Sequence, residues 1–426
     1  MRWIASPPKR AADLMAGFKT SGRALAWGVP ILAEAAALGR SIALAWTIGA
    51  GALGQAMMLA LVLRLIEMTS DLGVERLIVQ APEGATRRLQ AGLQGVALIR
   101  GTIMSLVLLA LSPVLAWAFV DGPSVAAYAS LSIVPLLGGF MHLDYRRAER
   151  RFAYRQMAVV EGGATLMAFV ALIPAIWVFA DYRVMAAVLI CHAVARVALS
   201  HMVATRRYRL LFSTDVMLRC WRFGAPLIVN AALLFLVFYA DRLIVARGYG
   251  WATLALYGVV LQLALLPAQI VGRAAGSLVL PSLRETLGTG AFQAVWQRIL
   301  TRHAILAAAL VLAFTALAPV LIALVYGPEF RPEAGLALAV AVAAGFRILR
   351  TPYSQLAVAM GRTADPARAN LLRVLALPLA AFCAATGGPL TLIAVAAAVG
   401  EVAATLRAVQ LAGGHSSNTS QKEMPA

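Results

Sequence analysis

Arginine side chains occur inside segments of this chain that are otherwise apolar enough to cross a lipid bilayer, the deepest being Arg40, Arg64, Arg196, Arg347 and Arg350. A charged side chain in that environment must be paired, hydrated or functional. A guanidinium stays protonated, and its planar fork fits phosphate and carboxylate oxygens. Several guanidiniums facing a common interior would form a cationic chamber, which predicts a transporter of a negatively charged solute.

Two of these arginines stand at a spacing that suits a clamp. Arg347 and Arg350 are three residues apart, so they share one helical face and could hold an anion between them. The alternative, with equal weight, is that they pair with acids on neighbouring helices and only brace the bundle. The arginines expected to contact the solute are Arg40, Arg64, Arg196, Arg242, Arg347 and Arg350.

Polar side chains also recur at helical spacing on these segments. His192, Arg196 and Ser200 form one such stripe, which would be unfavourable against lipid and favours the lining of a wet cavity. Small polar residues also join helices by hydrogen bonds, and that structural role is the alternative for each of them. The residues expected to line the cavity are His192, Asn230, Gln262, Gln269 and Arg273.

Acidic residues within the apolar segments are candidates for energy coupling. Glu67 and Asp71 share a helical face with Arg64, and internal pairing among the three would make a structural or gating network. Asp241 stands beside Arg242 and is the candidate for an ion pair that switches during a transport cycle. Intramembrane acids are the usual carriers of coupling ions, and the other candidates are Glu34, Glu161 and Glu401.

Composition defines the elements that must position these residues. Of 426 residues, 61% are hydrophobic and 13% are charged, and the mean hydropathy is +0.81. A spanning helix needs roughly 20 apolar residues. The sequence therefore predicts an all-α polytopic membrane protein with about twelve spans, approximately 24–48, 53–72, 93–119, 125–143, 157–180, 184–204, 223–246, 252–276, 303–326, 335–356, 370–386 and 390–411.

A basic stretch divides these spans into two groups of six, which suggests an internally repeated transporter. Both groups open with a long helix and a glycine-containing turn, near Gly49 in the first and near Gly250 in the second. The predicted parts are a cytoplasmic N-terminal segment (1–23), an N-lobe with spans one to six (24–204), a basic cytoplasmic linker (205–222), a C-lobe with spans seven to twelve (223–411) and a disordered cytoplasmic tail (412–426).

The net charge of +18 follows from where the basic residues fall. Most of them lie in loops on one side of the predicted spans, and such loops are typically cytoplasmic. Both termini are therefore predicted in the cytoplasm. Basic loops beside apolar helices meet anionic membrane lipids, so the charge does not indicate a nucleic-acid partner.

The sequence shows no arrangement typical of an enzyme or a metal site. Cys191, Cys220 and Cys383 have neither metal-ligand nor redox spacing, and no nucleophile–base pair or phosphate-binding glycine loop stands out. No catalytic residue, metal or cofactor is predicted. Coupling to H⁺, to Na⁺ or to the membrane potential is the only energy source expected.

Several short motifs follow one another in a specific order along the chain. They are Asp71-Leu72-Gly73-Val74-Glu75-Arg76, Phe223-Gly224-Ala225-Pro226, Tyr239-Ala240-Asp241-Arg242, Leu256-Tyr257-Gly258, the prolines Pro267 and Pro281, and Val325-Tyr326-Gly327-Pro328-Glu329-Phe330. In this order, over roughly residues 35–410, the chain resembles the O-antigen and exopolysaccharide repeat-unit flippases. Those belong to the MATE-like (multidrug/oligosaccharidyl-lipid/polysaccharide exporter) superfamily.

The resemblance implies two six-helix lobes around a central cleft that opens alternately to either side of the bacterial inner membrane. Its members move an undecaprenyl-diphosphate-linked oligosaccharide to the outer leaflet, and a polysaccharide polymerase and a chain-length regulator are further candidate partners. Relatives with fourteen helices differ from this chain, in which only twelve fit. An additional lipid-tail groove from a final helix pair is therefore not expected.

Two other functions remain open at this point. One is a cation-coupled drug or metabolite exporter of the same fold, and the other is a scaffold of a polysaccharide assembly complex that transports nothing. An exporter of cationic drugs would favour an acidic interior, whereas the apolar segments here are predominantly basic. A scaffold would not need buried charge in both halves.

Overall fold

The protein is built from helices that are joined by short turns. The computed structural model describes residues 9–413, and that part of the chain contains no strand. The helices are α1 (Lys9–Thr69), α2 (Val74–Gln80), α3 (Arg87–Ala118), α4 (Val125–Ser130), α5 (Ile133–Gly139), α6 (Asp144–Glu149), α7 (Arg155–Met157), α8 (Gly163–Phe179), α9 (Arg183–Met202), α10 (Thr214–Tyr249), α11 (Trp251–Thr286), α12 (Phe292–Tyr326), α13 (Ala334–Ala359), α14 (Asp365–Leu371), α15 (Ala376–Ala385) and α16 (Leu390–Gly413).

Ten helices in the described part are long and apolar enough to cross a membrane. The first of them, within α1, is broken at Gly49, so its two arms correspond to the first two predicted spans. Helices α4 and α5 form a shorter apolar stretch, Val125–Gly139, at the position of the fourth predicted span. The prediction of an all-α polytopic membrane protein is confirmed.

The ends of the predicted parts differ from the helix bounds in two places. Helix α1 already begins at Lys9, within the predicted N-terminal segment, and residues 1–8 lie outside the described part. Helix α10 begins at Thr214, so the irregular part of the predicted linker ends at residue 213. The predicted tail beyond Gly413 also lies outside the described residues.

The same backbone conformation breaks the first helical pair in each half of the chain. Gly49 has φ 75° and ψ 171°, and Gly250, between α10 and α11, has φ 83° and ψ 179°. L side chains rarely adopt this positive φ, so glycine is the residue that permits the turn. The glycine-containing turns that the sequence indicated in both halves therefore have equivalent geometry, which supports an internal repeat.

By its contacts the chain divides into two compact units, Met1–Ala232 and Leu233–Ala426. In the first unit, α8 packs on α9, α1 packs on both of them, and α3 packs on α5. The short helix α2 buries Val74, Leu77 and Ile78 against α3 and the beginning of α10, where Val216 and Cys220 complete the core. In the second unit, α13 is central and packs against α11, α12 and α16.

Polar contacts fix the loops that connect the helices of the first unit. The Arg150 side chain donates to the carbonyl oxygens of Ile78, Val79 and Ala81 at 3.0, 2.6 and 2.6 Å. A cation at this position satisfies carbonyl groups that the end of a helix leaves without partners, and it opposes the negative end of the helix dipole. Arg150 therefore holds the C-terminal end of α2 in place.

Asp144 anchors the segment that follows α9. Its side chain is fully buried, with 0% exposed, and it accepts hydrogen bonds from Arg147 Nε at 2.6 Å and from the Thr205 N–H and hydroxyl at 2.8 Å each. Burial by itself would raise the pKa of Asp144, but the hydrogen bonds from Arg147 and Thr205 outweigh it and hold the pKa below the usual 3.8. The ionised carboxylate is thus part of the folded structure.

A close backbone approach joins the end of α1 to α10. Gly73 has φ 67°, and a Cβ atom on Gly224 would lie 2.5 Å from Leu72 Cα and 2.6 Å from Leu72 O. A side chain on Gly224 would therefore collide with backbone that cannot rotate away. Glycine at this position permits the contact within the first unit.

We expect Gly224→Ala to destabilise the purified protein by about 1–3 kcal/mol, because the added methyl overpacks a backbone contact. The measurement is the thermal unfolding temperature in detergent. The matched control is Gly272→Ala in α11, where no heavy atom lies within 4 Å of an added Cβ. Alanine is a better helix former than glycine, so the control should unfold at the same or a higher temperature. Equal unfolding temperatures for the two variants would contradict the close contact.

We also expect Asp144→Asn to lower the unfolding temperature at neutral pH, since the lost charged hydrogen bonds each contribute about 1.5–3 kcal/mol. The folded-state pKa of Asp144 is depressed, so its contribution is present above about pH 4 and is lost as the pH falls through the folded-state value. The difference between wild type and variant should therefore shrink in acid.

The control for Asp144 is Asp181→Asn. Asp181 pairs with Arg183 in a more exposed position, at 2.8 Å, and such surface pairs contribute about 0–1 kcal/mol. An Asp144→Asn variant that unfolds like the Asp181→Asn control at every pH would refute the anchoring role.

Candidate functional site

The first unit contains a network of two arginines and three carboxylates. Arg146, on α6, contacts Glu149 at 2.6 Å, Glu75 at 2.7 Å and Glu161 at 3.2 Å. Arg196, on α9, contacts Glu161 at 2.8 Å and Glu75 at 3.9 Å. The Arg196 charge is thus matched by acids from two other elements. These contacts brace Arg196, and its role as a solute contact stays a prediction.

Glu161 connects the two arginines, and its position depends on a local irregularity. It lies in the π-helical turn Ala158–Gly162 between α7 and α8 and also accepts a hydrogen bond from the Tyr145 hydroxyl at 3.0 Å. A π turn changes the direction of side chains along a helix and is frequent at functional sites. It brings one carboxylate within reach of Tyr145, Arg146 and Arg196.

The stripe of Arg64, Glu67 and Asp71 forms no ion pair among its own members in the described structure. Asp71 pairs instead with Arg76 and Arg100, at 3.7 Å each. Glu67 is half-buried and lies within electrostatic range of Arg64, Arg100 and Arg196, while Arg64 is exposed. The acids of this stripe therefore belong to a wider charge network that includes the arginines of α3 and α9.

The three residues of the stripe His192, Arg196 and Ser200 also have different surroundings. Ser200 is buried, and its hydroxyl accepts the His142 backbone N–H at 3.0 Å. His192 is half-buried and within electrostatic range of Arg196 and Arg40. Arg40 is half-buried and makes no hydrogen bond or ion pair with its described surroundings.

In the second unit, one buried carboxylate holds two arginines. Glu401, on α16, contacts Arg350 at 3.1 Å and Arg373 at 3.0 Å, and its side chain is only 3% exposed. Arg350, on α13, is 8% exposed and also donates a hydrogen bond to the Asn370 side chain. Arg350 thus braces three helices, α13, α14 and α16. Clamp and brace were equal alternatives for this pair of arginines, and Arg350 has the contacts of a brace.

Arg347 lies in a different environment from Arg350, although only three residues separate them. Its guanidinium lies 4.5 Å from the centre of the Phe238 ring and makes no ion pair or hydrogen bond with any described side chain. Arg373 lies 4.4 Å from the centre of the same ring. Two guanidiniums therefore share one aromatic ring, an arrangement in which the ring's electron-rich face attracts the cations.

The charges in this part of the second unit do not balance. Three guanidiniums, from Arg347, Arg350 and Arg373, lie within electrostatic range of the single carboxylate of Glu401. Nη1 of Arg373 is buried and has no hydrogen-bond partner in the described residues. We call these four residues together with Phe238 the arginine site. Such an excess of guanidiniums can bind an anion.

Arg242 and Asp241 make contacts beside the arginine site. The Asp241 carboxylate accepts a hydrogen bond from the Tyr257 hydroxyl at 2.8 Å and from the Arg242 backbone N–H at 2.9 Å. The Arg242 guanidinium lies 5.0 Å from the centre of the Tyr239 ring. Asp241 and Arg242 carry opposite charges, so together they leave the positive excess of the arginine site unchanged.

The remaining polar candidates are placed along α10 and α11. Asn230 and Arg273 are exposed, whereas Gln262 and Gln269 are half-buried. Their role as cavity lining stays a prediction.

Sequence reasoning did not single out Arg373 or Phe238. A signal was present for Arg373, a basic residue inside the predicted span 370–386, but the sequence cannot show that α10 brings Phe238 to it. Glu75 and Arg146 were also missed as network members because both lie outside the predicted spans. Within the described residues, no three His, Cys, Asp or Glu side chains are placed to hold a metal ion.

Comparisons with known proteins agree with this architecture. Residues 44–334 match a family profile described as polysaccharide biosynthesis protein. No protein of curated function matches the chain by sequence.

Three solved structures illustrate the structural likeness. The lipid II flippase MurJ in an inward closed conformation has a TM-score of 0.71 at 12% identity, over 89% of this chain and 86% of that chain. An inward-facing multidrug resistance MATE family transporter of the MOP superfamily has a TM-score of 0.63 at 13% identity, over 91% and 96%. The eukaryotic MATE transporter AtDTX14 has a TM-score of 0.60 at 14% identity, over 93% and 95%. These TM-scores establish a common fold.

We expect Glu401→Gln to destabilise the protein by about 3–5 kcal/mol, because it leaves two largely buried arginines without their carboxylate. The measurement is the thermal unfolding temperature in detergent. Glu285→Gln is the control, since Glu285 is exposed and its loss should change the unfolding temperature little. If both variants unfold at the wild-type temperature, Glu401 does not hold the arginines in the folded protein.

Proposed function

Because the chain belongs to the polysaccharide biosynthesis protein family, we propose that it is a flippase for lipid-linked oligosaccharides. Its substrate would be an undecaprenyl-diphosphate-linked repeat unit, moved from the cytoplasmic to the outer leaflet of a bacterial inner membrane by alternating access. The product would serve the assembly of O-antigen, capsule or exopolysaccharide. Both termini would lie in the cytoplasm, in agreement with the distribution of basic residues.

The observation that supports this proposal most is the positive excess at the arginine site. The site contains three guanidiniums and one carboxylate within an apolar bundle, where an unmatched charge is costly. A diphosphate carries at least two negative charges and has oxygens on both phosphoryl groups, so it can offset the excess and accept several hydrogen bonds. A neutral sugar or a cationic drug would not.

The residues of the site would have different roles in binding. Glu401 fixes Arg350 and Arg373, so those two side chains are held before any substrate arrives, and a preorganised site loses less entropy on binding. Arg347 has no carboxylate to release and is oriented by the Phe238 ring. We therefore assign Arg347 as the principal diphosphate contact of the second unit, with Arg373 beside it.

The first unit supports a different role. The charges of Arg146 and Arg196 are matched by acids. Such a network can exchange ion-pair partners, whereas an anion-binding site needs unmatched positive charge. Glu67 and Asp71 belong to this network and remain the candidates for gating or for coupling to H⁺, Na⁺ or the membrane potential. Arg40 and Arg64, which have no ion pair with described residues, are the further candidates for substrate contact.

The arginine excess also separates this proposal from the alternatives. A cation-coupled exporter of positively charged drugs would bind them at an acidic site, whereas the arginine site has more guanidiniums than carboxylates. A scaffold would gain nothing from a charge excess that destabilises the bundle. A polysaccharide polymerase and a chain-length regulator stay proposed partners.

We expect wild type to restore surface polymer in bacteria that lack their repeat-unit flippase, and Arg347→Gln to restore it about 10- to 100-fold less. The reason is that a hydrogen bond between charged groups contributes about 1.5–3 kcal/mol. The assay would use several recipient strains with different repeat units and would quantify polymer and protein in the membrane. Arg298→Gln is the control, because Arg298 is exposed and outside the arginine site.

The stability of each variant distinguishes a substrate contact from a brace. Arg347→Gln should unfold near the wild-type temperature, whereas Arg350→Gln should unfold at a lower temperature because it breaks the contact with Glu401. Farnesyl diphosphate should stabilise wild type more than farnesol does, and Arg347→Gln should abolish that difference. A stable Arg347→Gln variant with wild-type activity and diphosphate response would refute the assignment.

A further inference from the structure

A second basic region lies in the loops of the first unit, away from the arginine site. Arg206 donates hydrogen bonds to the Ala85 carbonyl at 2.9 Å and to the Gln90 side chain at 3.0 Å, next to the beginning of α3. Arg87 begins α3, and Arg151 follows α6. We call Arg87, Arg147, Arg151, Arg206 and Arg207 the arginine patch.

Like charges crowd one another in this patch. Burial together with the positive charges of Arg147, Arg87 and Arg151 lowers the pKa of Arg206, and the Asp144 carboxylate opposes them. Asp144 is already engaged by Arg147 and by Thr205. The patch therefore carries a positive charge that its own surroundings do not neutralise.

The beginning of α3 adds to this repulsion. Arg87 and Arg88 occupy its first turn, which contains no acidic residue. The N-terminal end of a helix is positive, so basic side chains are unfavourable there and an anion is favourable. Both side chains are exposed. An anion at this position would relieve the repulsion from the helix and from the arginines together.

Aromatic side chains stand exposed beside the patch. Phe152 directly follows Arg151, is 70% exposed and has φ 57°. A bulky residue in the left-handed region is strained, and glycine would fit there without strain. Phe212 is 59% exposed. Exposed phenylalanine beside basic residues is typical of protein surfaces that lie in the interface between lipid and water.

The segment that carries Arg206 and Arg207 is held firmly against α3. Gln94 donates to the Arg209 carbonyl at 3.0 Å, and the Leu211 N–H donates to the Ala91 carbonyl at 3.1 Å. Gly95 permits this approach, because a Cβ there would lie 2.4 Å from the Leu211 carbonyl oxygen. The patch is thus a formed surface and does not need to fold when it binds.

We propose that the arginine patch is a binding site for the phosphate of an anionic phospholipid, with Phe152 and Phe212 inserted at the lipid–water interface. Guanidiniums bind phosphate oxygens with paired hydrogen bonds, and phenylalanine rings beside basic residues insert at the boundary between head groups and acyl chains. An acidic protein would satisfy the charge but would not explain two exposed phenylalanines beside a membrane. The site requires only that the chain lies in a membrane and does not depend on the proposed substrate.

The test uses the full chain in a mild neutral detergent and measures its thermal unfolding temperature with increasing short-chain phosphatidylglycerol or phosphatidylcholine. The patch variant is Arg87→Gln/Arg151→Gln/Arg207→Gln, whose three side chains form no ion pair or hydrogen bond with described residues and should leave the fold intact. The control removes the same charge from exposed positions of the second unit, as Arg284→Gln/Arg298→Gln/Arg302→Gln.

We expect phosphatidylglycerol to stabilise wild type and the control variant more than phosphatidylcholine does, since a ligand of the folded state raises the unfolding temperature. The patch variant should bind phosphatidylglycerol on the order of 100-fold more weakly, because each of the three basic residues contributes about 1 kcal/mol, a factor of about five, to binding an anionic surface. Glycerol phosphate, which lacks acyl chains, should have little effect on any of the three proteins.

Phe152→Gly separates lipid insertion from a structural role. Removing a strained phenylalanine should leave the unfolding temperature in detergent unchanged or higher, while the response to phosphatidylglycerol should become weaker. Four results would overturn the proposal: no preference for phosphatidylglycerol in wild type, an equal loss in the patch and control variants, an unchanged lipid response in Phe152→Gly, or stabilisation by a polyglutamate peptide that depends on the patch and exceeds that by the lipid.

Discussion

A guanidinium in an apolar bundle needs a carboxylate, an aromatic face or a bound anion near it, and this requirement governs the arrangement of both units. Few carboxylates are available in the spans, and two of them are each shared by two arginines. Glu161 lies between Arg146 and Arg196, and Glu401 lies between Arg350 and Arg373. In each case the two arginines come from different helices, so a single acid determines how several helices pack.

The two units satisfy this requirement to different extents. In the first, acids from α2, α6 and the π turn surround Arg146. In the second, the Glu401 carboxylate lies among three arginines, and the ring of Phe238 supplies a further contact for two of them. A unit with matched charges can rearrange its ion pairs at little cost, whereas a unit with an excess is stabilised when an anion arrives. This difference suits a division between gating and substrate binding.

The basic loop residues have two different roles, although they share a common location. Arg147 and Arg150 are engaged by Asp144 and by the carbonyl groups at the end of α2, so they stabilise the first unit. Arg151 and Arg207 are exposed. Residues that all mark one side of the membrane thus divide into structural braces and an accessible cationic surface.

The sequence by itself determined the membrane class, the helical fold, the approximate spans and the glycine turns at Gly49 and Gly250. Hydropathy and backbone freedom are local properties of a few residues, and they can be read along the chain. The contacts of each arginine cannot be predicted in this way, because they depend on partners that are distant in the sequence. Only the tertiary structure decided that Arg350 meets Glu401 while Arg347, three residues earlier, meets Phe238. Helical spacing places both arginines on one face, but the packing of α10 and α16 against α13 gives one a carboxylate and the other an aromatic ring.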